Sequence, residues 1–326
     1  MESHLREWVT EIRQRFDERG WRGLLYLVYT LYLTVWYAVT SRYEPGRNPF
    51  EEEWDILVVL DACRVDTLRE VADEYDFIDQ VDTRWSVGSQ SDEWMAKTFT
   101  SQWEDEISRT RYITGNGHSD MVFEKGALPP SNNTTPLDFA TWDLVAMDSF
   151  YEFDQVWKRN HDSTYRVVLP QSITDRAVVA GREGGHSRML LHYMQPHLPY
   201  IGKAIAEGRE PTDLEIFGYQ RLETGEASRG EVVDLYRETL RYVLDSVEVL
   251  LDNTDAERVV ITADHGEAFG EGAVYGHPEG FPHPIVKRVP WVETSATDSG
   301  SYDPEVSDLS SEGIDVEDHL KDLGYL

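Results

Sequence analysis

The segment "DILVVLDACRVD", residues 55–66, decides the fold, because five consecutive apolar residues, Ile56–Leu60, end on Asp61. A continuous apolar run of this length is typical of a strand buried on both faces of a sheet. Similar runs occupy residues 164–170, 188–194 and 258–264, and we predict a strand for each.

Helical patterns lie between these strands. Residues 91–99 begin with Ser-Asp-Glu, a helix-start signal, and residues 231–251 carry apolar residues at helical spacing. Buried strands that alternate with helices predict an α/β domain with a mainly parallel central sheet flanked by helices. We place this domain at residues 50–295. A helical segment and linker, residues 1–45, precede it, and an acidic tail with a short closing helix, residues 296–326, follows it.

The chain is strongly acidic: 61 Asp and Glu oppose 30 Lys and Arg among 326 residues, which gives a formal net charge of −31. Such a surface repels nucleic acid, so we expect no nucleic-acid partner. The acidic, lysine-poor composition resembles proteins of salt-loving archaea, and predicts a halophilic, haloarchaeal protein; an ordinary acidic protein is the alternative. The single cysteine, Cys63, excludes an intrachain disulfide and a Cys-rich zinc site.

The N-terminal segment predicts membrane association. Apolar residues recur at helical spacing among charges in residues 5–16, and residues 23–40 carry no charge. The tyrosines and the tryptophan of this second stretch favour the level of the lipid headgroups. An interfacial helix, a single membrane span and a helix packed on the domain stay open, as does the face of the membrane, cytoplasmic or extracellular.

Polar residues stand where the predicted strands end. Asp61 follows the first strand, Asp264 and His265 end the last one, and His197 comes shortly after residues 188–194. Ligands of α/β sheets bind beyond the carboxyl ends of the strands, so we expect these side chains to converge. Each residue alone is more typical of a turn or a cap, but carboxylates and imidazoles buried together require a partner. A divalent cation is the usual one, and the sequence therefore predicts a metal site.

A candidate nucleophile lies just before a predicted helix. The turn "GSQS", residues 88–91, places Ser89 after a glycine and near the positive end of the helix dipole. A hydroxyl coordinated to a divalent cation has a lowered pKa and can attack phosphorus or sulfur. We predict Ser89 as the nucleophile and Ser91 as the N-cap of the helix.

Four motifs resemble the alkaline phosphatase superfamily, in its sulfatase and phosphoethanolamine-transferase branch. They are "VVLDACRVD", "GSQS", "HYMQPHLPY" and "TADHGEAFGEGAVYGH", which fall within residues 55–293. The resemblance implies that Asp61, Ser89, Asp264 and His265 bind a metal ion and that Ser89 attacks the substrate. It also implies catalytic and substrate-binding roles for His197 and His277, or a role at a second metal ion.

One departure from the family shifts the expected substrate. Formylglycine sulfatases carry a cysteine at the nucleophile turn, and this turn has none. We therefore expect a metal-dependent hydrolase or transferase acting on phosphate esters or diesters, on a lipid-linked or cell-surface glycan. A serine-type sulfatase on sulfated glycans and a non-catalytic binding protein that retains the fold are the alternatives.

Supporting residues and the metal are less constrained by the sequence. Arg64 is a candidate for binding the substrate anion, or else an ion-pair partner of Asp66. Glu267 and Glu271 are either partners of the site or solvated acids. Mixed oxygen and nitrogen ligands favour Mn²⁺ or Zn²⁺ over Ca²⁺, and a second ion is possible. The expected partners are a phosphorylated or sulfated small molecule or glycan and a membrane surface.

Overall fold

The structure, a computed structural model, describes residues 22–130 and 135–306, together with residues 6, 8–10, 12–14 and 16. Part of the helix predicted over residues 5–16 and the whole of the predicted closing helix lie outside the described residues.

A seven-stranded sheet forms the centre of the domain, and it confirms the predicted fold class. Its order is β2-β11-β8-β1-β7-β3-β4, in which the five strands from β8 to β4 are parallel and β11 is antiparallel to both of its neighbours. These strands are β1 (Ile56–Leu60), β2 (Asp82–Trp85), β3 (Thr110–Thr114), β4 (Glu152–Gln155), β7 (Arg188–Tyr193), β8 (Ala256–Thr262) and β11 (Arg288–Ala296). Two short hairpins pair β5 (His161–Asp162) with β6 (Val167–Val168), and β9 (Ala268–Phe269) with β10 (Tyr275–Gly276).

Helices cover both faces of the sheet. They are α1 (Arg22–Thr40), α2 (Val65–Val71), α3 (Ser91–Thr98), α4 (Glu104–Ile107), α5 (His118–Phe123), α6 (Pro170–Glu183), α7 (Gly202–Glu207), α8 (Asp213–Ile216), α9 (Gly218–Glu223), α10 (Arg229–Leu251) and α11 (Pro284–Lys287). Single 3-10 turns occur at Pro49–Glu51, Ala72–Glu74, Ser101–Trp103, Met147–Ser149, Val156–Lys158 and Glu271–Ala273. The predicted helices over residues 91–99 and 231–251 correspond to α3 and α10.

Strand β1 explains why the apolar run signals a sheet covered on both sides. Alternate residues enter two different cores, with Ile56 in the core beneath α2, α6 and α10, and Leu57 in the core beneath α3 and α5. All five residues of β1 are buried, because each face of the strand meets a helical layer. The register aligns Val59 with Thr262 of β8 and with His192 of β7, so the carboxyl ends of the three strands share one edge.

The strand predicted over residues 164–170 is wrong. Only Val167–Val168 is extended, and this pair belongs to the small hairpin with β5 rather than to the central sheet. Arg166 adopts a positive φ of 60°, which turns the chain, and Pro170 starts α6 directly afterwards.

Helix α1 lies against the domain. Thr30, Leu33, Tyr37 and Thr40 recur on one face and are buried. The hydroxyls of Tyr29 and Tyr32 donate hydrogen bonds of 2.6 Å to the carbonyl oxygens of Glu279 and Gly280. Gly280 has φ of +61°, and a Cβ there would lie 2.7 Å from Leu33, so the absence of a side chain permits this close approach. Among the described residues, no helix combines the length and the apolar character that crossing a membrane requires.

Candidate metal centre and nucleophile

Five buried side chains converge beyond the carboxyl ends of β1, β7 and β8; we call them the aspartate group. They are Asp61, Ser91, His192, Asp264 and His265. Oxygen and nitrogen atoms of Asp61, His192 and Asp264 all lie within 4.8 Å of one another. The Nε2 atom of His265 lies 3.5 Å from both Asp61 Oδ1 and Asp264 Oδ2. The predicted ligands Asp61, Asp264 and His265 are therefore brought together, as the strand-end rule requires.

Hydrogen bonds from the surrounding loops orient the two carboxylates. Asn116 Nδ2 donates to Asp61 Oδ2 at 2.8 Å. The backbone N–H of Ala62 donates to Asp264 Oδ1 at 3.1 Å. Ala62 adopts φ of 59°, which is uncommon for a residue with a side chain, and this conformation directs its N–H back across the site.

The protonation of His265 shows that the aspartate group fits a cation. Its Nδ1 lies 3.0 Å from the carbonyl oxygen of Gly266, and because a carbonyl only accepts, Nδ1 carries the proton. The Nε2 lone pair therefore faces two carboxylates, and Nε2 has no hydrogen-bond partner among the described residues. Burial lowers the pKa of His265 to about 4, so the ring is neutral at neutral pH. Acceptors that face each other in a buried place require a cation between them.

A second set of possible ligands, which we call the histidine group, lies beside the first. His197, Glu267 and His277 are buried, and one ligand atom from each lies within 4.8 Å of the others. Burial raises the pKa of Glu267 to about 7, and burial lowers the pKa of His197 to about 3 and that of His277 to about 4. Neutral imidazoles are metal ligands rather than proton donors, so this set also fits a cation.

The two groups form one continuous site. The ring centres of His265 and His277 are 4.4 Å apart, and those of His197 and His277 are 5.0 Å apart. The hairpin of β9 and β10 returns the chain after Glu267, which brings His277 back to the edge where the strand ends lie. The structure thus brings the predicted residues His197 and His277 together with the predicted metal ligands.

Ser91, rather than Ser89, contacts the aspartate group. Ser91 Oγ donates a 2.7 Å hydrogen bond to Asp264 Oδ2 and lies 3.4 Å from Asp61 Oδ2. It is the first residue of α3, and Gln90 occupies the N-cap position that the sequence analysis gave to Ser91. The Oγ of Ser89 instead donates to Glu93 Oε2 at 2.8 Å and accepts from the N–H of Phe281.

Ser89 belongs to a buried charged network between α3 and α1. Glu93 also accepts from Lys97 Nζ at 2.5 Å and from Trp36 Nε1 at 3.3 Å. Burial alone would raise the pKa of Glu93, but the charges of Lys97 and Lys287 outweigh burial and lower the pKa to about 2. This carboxylate is therefore ionised, and the Ser89 hydroxyl donates its hydrogen bond to it rather than to the aspartate group.

Arg64 takes the structural role that the sequence left open. Its guanidinium donates to both oxygens of Asp66, to Glu271 and to the carbonyl oxygen of Glu267, and its side chain is 3% exposed. All of its nitrogens are therefore engaged with the protein, and substrate binding by Arg64 receives no support from this geometry. Glu271 also pairs with Arg229, so it is a structural acid.

Three residues in or beside the site were not predicted from the sequence. His192 lies within the apolar run of β7, where a lone histidine near the strand end was the available signal. Asn116 and His118 follow β3, whose sequence "TRYIT" contains only one aliphatic residue and gave no strand prediction. His118 is buried, and burial and the nearby His277 lower its pKa to about 3.

No protein-family model and no curated protein matches this sequence. Solved structures of similar fold include the lipooligosaccharide phosphoethanolamine transferase EptA from Neisseria meningitidis, at 14% identity and a TM-score of 0.48, over 79% of this chain and 51% of that one. The periplasmic domain of phosphoethanolamine transferase EptC from Campylobacter jejuni is 14% identical, with a TM-score of 0.44, over 74% of this chain and 78% of that one. A putative sulfatase from Bacteroides thetaiotaomicron is 12% identical, with a TM-score of 0.41, over 74% of this chain and 64% of that one. The chain spans about half the length of EptA. These likenesses are distant and concern the fold alone.

Proposed function

We propose that this protein is a metal-dependent phosphoric ester hydrolase or transferase of the alkaline phosphatase superfamily, with Ser91 as its nucleophile. The observation that carries the proposal is the hydrogen bond between Ser91 Oγ and Asp264 Oδ2, inside a buried cluster of metal-ligand side chains. The partial positive charge at the N-terminal end of α3 stabilises the negative charge that develops on the serine oxygen.

The aspartate group would hold one divalent cation through Asp61, His192, Asp264 and His265, and the histidine group would hold a second one. Their mixed nitrogen and oxygen donors suit Zn²⁺ or Mn²⁺ better than Ca²⁺. When bound, such cations lower the pKa of a serine hydroxyl and neutralise charge on phosphoryl oxygens.

The reaction then proceeds in two steps at Ser91. The hydrogen bond to Asp264 orients Ser91 Oγ. Ser91 loses its proton to solvent, and its Oγ forms a bond to phosphorus while the bond from phosphorus to the leaving oxygen breaks. The leaving oxygen takes a proton from solvent. Water or an acceptor hydroxyl then breaks the bond between Ser91 and phosphorus and restores the serine, giving hydrolysis or transfer.

The neutral state of the histidines favours one of two roles. His197 and His277 have pKa values lowered to about 3 and about 4, so they bind a cation through a ring lone pair rather than donate a proton. Their position beside His265 supports a place on the substrate side of the aspartate group. We extend the proposal to a phosphorylated substrate that is lipid-linked or part of a cell-surface glycan, and to a salt-rich environment that suits the net charge of −31.

Paired assays test the proposal. The full chain, loaded with Zn²⁺ or Mn²⁺, is expected to turn over bis-nitrophenyl phosphate or nitrophenyl phosphate but not nitrophenyl sulfate. Asp264→Asn is expected to lower turnover by at least about 100-fold, because it removes a ligand and the partner of Ser91. Sulfate turnover alone would identify a serine-type sulfatase, and a chain with neither bound metal nor turnover would be a binding protein that retains the fold.

A further inference from the structure

The outer face of α1 carries an unusual stripe of exposed aliphatic side chains. Its members are each 47–64% exposed: Leu24, Leu25, Val28, Leu31, Val35 and Val39. From Leu25 onward their spacing is three to four residues, which places them on one side of the helix, and no charged residue interrupts residues 23–40. We call these six residues the aliphatic stripe. Contiguous exposed apolar surface of this kind marks a binding surface.

The inner face of α1 is already occupied. Leu33 and Tyr37 are buried, the Tyr29 and Tyr32 hydroxyls bond to the loop that follows His277, and Trp36 bonds to Glu93. With this face packed on the domain, α1 can present only the aliphatic stripe to a partner. A helix held in this way lies parallel to any surface that it meets.

We propose that the aliphatic stripe docks the domain onto a lipid bilayer, with α1 lying in the plane of the headgroups. Helices of this character bury their apolar face at the boundary between headgroups and acyl chains, while the other face stays out of the lipid. Tyr43 and Phe139 are also exposed and extend the apolar surface beyond the helix. Arg42 connects the end of α1 to the segment of Phe139, because its guanidinium donates a 2.9 Å hydrogen bond to the Phe139 carbonyl oxygen. This docking does not depend on the proposed reaction.

The distribution of charge favours a bilayer over a second copy of the chain. Residues 1–43 contain six arginines and five acids, a net charge of +1, whereas the remaining residues contain 24 basic and 56 acidic residues, a net charge of −32. At low salt, two such bodies repel each other across a dimer interface. The stripe exposes on the order of 500 Å², which is also below the roughly 800 Å² per partner of a stable protein interface. A membrane needs no matching protein surface, and residues 1–43, which contain the stripe, are not strongly acidic.

The same charges determine which lipids bind best. The acidic body repels anionic headgroups over a Debye length of about 8 Å at physiological salt, and molar salt shortens this to about 3 Å. Zwitterionic bilayers are therefore the preferred surface at low salt, and high salt removes the discrimination against anionic ones. Anchors that use basic residues behave in the opposite way, because salt weakens their attraction to anionic lipids.

Vesicle flotation of the full chain tests the docking. Phosphatidylcholine vesicles, with and without phosphatidylglycerol, are compared at about 0.15 M and about 2 M KCl, with circular dichroism as the check on folding. We expect binding to phosphatidylcholine at both salt concentrations. Phosphatidylglycerol should weaken binding at low salt only. Binding that rises with phosphatidylglycerol and falls with salt would overturn the proposal.

Variants separate the aliphatic stripe from other exposed apolar residues. The double variant Val28→Glu with Val35→Glu is expected to lower vesicle partitioning by at least about tenfold, since two exposed apolar side chains are replaced by charges. The matched control, Tyr151→Glu with Phe217→Glu, adds the same charge at exposed positions of other elements and should bind as the parent does. Asp264→Asn should also bind normally, which separates a failed docking proposal from a failed catalytic one. Unchanged binding of the stripe variant, or light scattering that shows a dimer which this variant dissociates, would contradict bilayer docking.

Discussion

Ser91 Oγ lies 2.7 Å from Asp264 Oδ2, and this hydrogen bond joins the first turn of α3 to the carboxyl end of β8. It places a hydroxyl among buried carboxylate and imidazole groups. A nucleophile that a cation activates lies among such ligands. Ser89, two residues earlier, points into the network of Glu93 and Lys97. One contact therefore distinguishes the candidate nucleophile from its neighbour.

Removing the amide that orients Asp61 should weaken metal binding without removing a ligand. Asn116→Ala deletes the 2.8 Å hydrogen bond to Asp61 Oδ2, and we expect affinity for the first cation to fall by about 10- to 100-fold. Isothermal titration with Zn²⁺ measures the change. Asn160→Ala, which removes a buried amide bonded to Arg176 instead, is the control and should keep the parent affinity. Equal affinity in all three proteins would show that Asn116 does not support the metal site.

Glu267→Gln should reduce the number of bound cations from two to one, because it removes the only carboxylate of the histidine group. Elemental analysis of the dialysed protein gives the count. Glu271→Gln is the matched control, since Glu271 pairs with Arg64 and Arg229 outside both groups. Two ions bound to Glu267→Gln would place the second ion elsewhere.

The affinity for the second cation should depend on pH in a defined direction. Burial raises the pKa of Glu267 to about 7, so below that pH the carboxyl must lose a proton before it can bind a cation. We expect the affinity to rise by about tenfold per pH unit up to about pH 7 and then to level off. A titration of Zn²⁺ binding between pH 5 and pH 8, repeated on Glu267→Gln, isolates this contribution; a slope that persists in the variant would assign it to another group.

Lys287→Met should stabilise the fold near neutral pH. Lys287 is fully buried, and its ammonium has no hydrogen-bond partner among the described residues. Burial and Lys97 lower its pKa to about 7, against the attraction of Glu93. The lysine therefore costs free energy of folding at pH 7, and its replacement should raise the free energy of unfolding by about 2–4 kcal/mol.

The advantage of that variant should shrink as the pH rises. Between about pH 7 and pH 10.5 the unfolded chain holds the Lys287 proton and the folded chain does not, so the stability of the parent rises with pH in this window. Urea unfolding at pH 7 and pH 9.5 measures the difference between the two proteins. Lys203→Met, at an exposed position, should stay within about 0.5 kcal/mol of the parent at both pH values. A pH-independent difference for Lys287→Met would contradict the buried-lysine explanation.

The sequence predicted the part of the site that follows directly from strand ends. Asp61, Asp264 and His265 were predictable because a polar residue that ends a buried apolar run must lie at the edge of the sheet. His197 was also predictable from its place after a predicted strand, whereas His277 was placed through the resemblance to a known superfamily; the fold brings both to the same edge. Helix α3 was predictable from its start signal and helix α10 from its apolar spacing, because both are local properties.

The remainder depends on contacts that no local pattern encodes. Ser89 and Ser91 differ by two positions, and only the packing of α3 against Glu93 and Asp264 decides which hydroxyl enters the site. Asn116 follows a strand that is too polar to recognise from the sequence, so its hydrogen bond to Asp61 could not be predicted. The apolar residues near Val167 resembled a central strand, but the turn at Arg166 confines them to a hairpin.

Mapping the covalent intermediate tests the central claim most directly. The metal-loaded chain is quenched with acid during turnover of a nitrophenyl phosphate ester, and the peptide of residues 85–97, which contains Ser86, Ser89 and Ser91, is sequenced by mass spectrometry. We predict a phosphoryl group on Ser91, its loss in Ser91→Ala, and its retention in Ser89→Ala. A label on Ser89, or a label that survives in Ser91→Ala, would contradict the account.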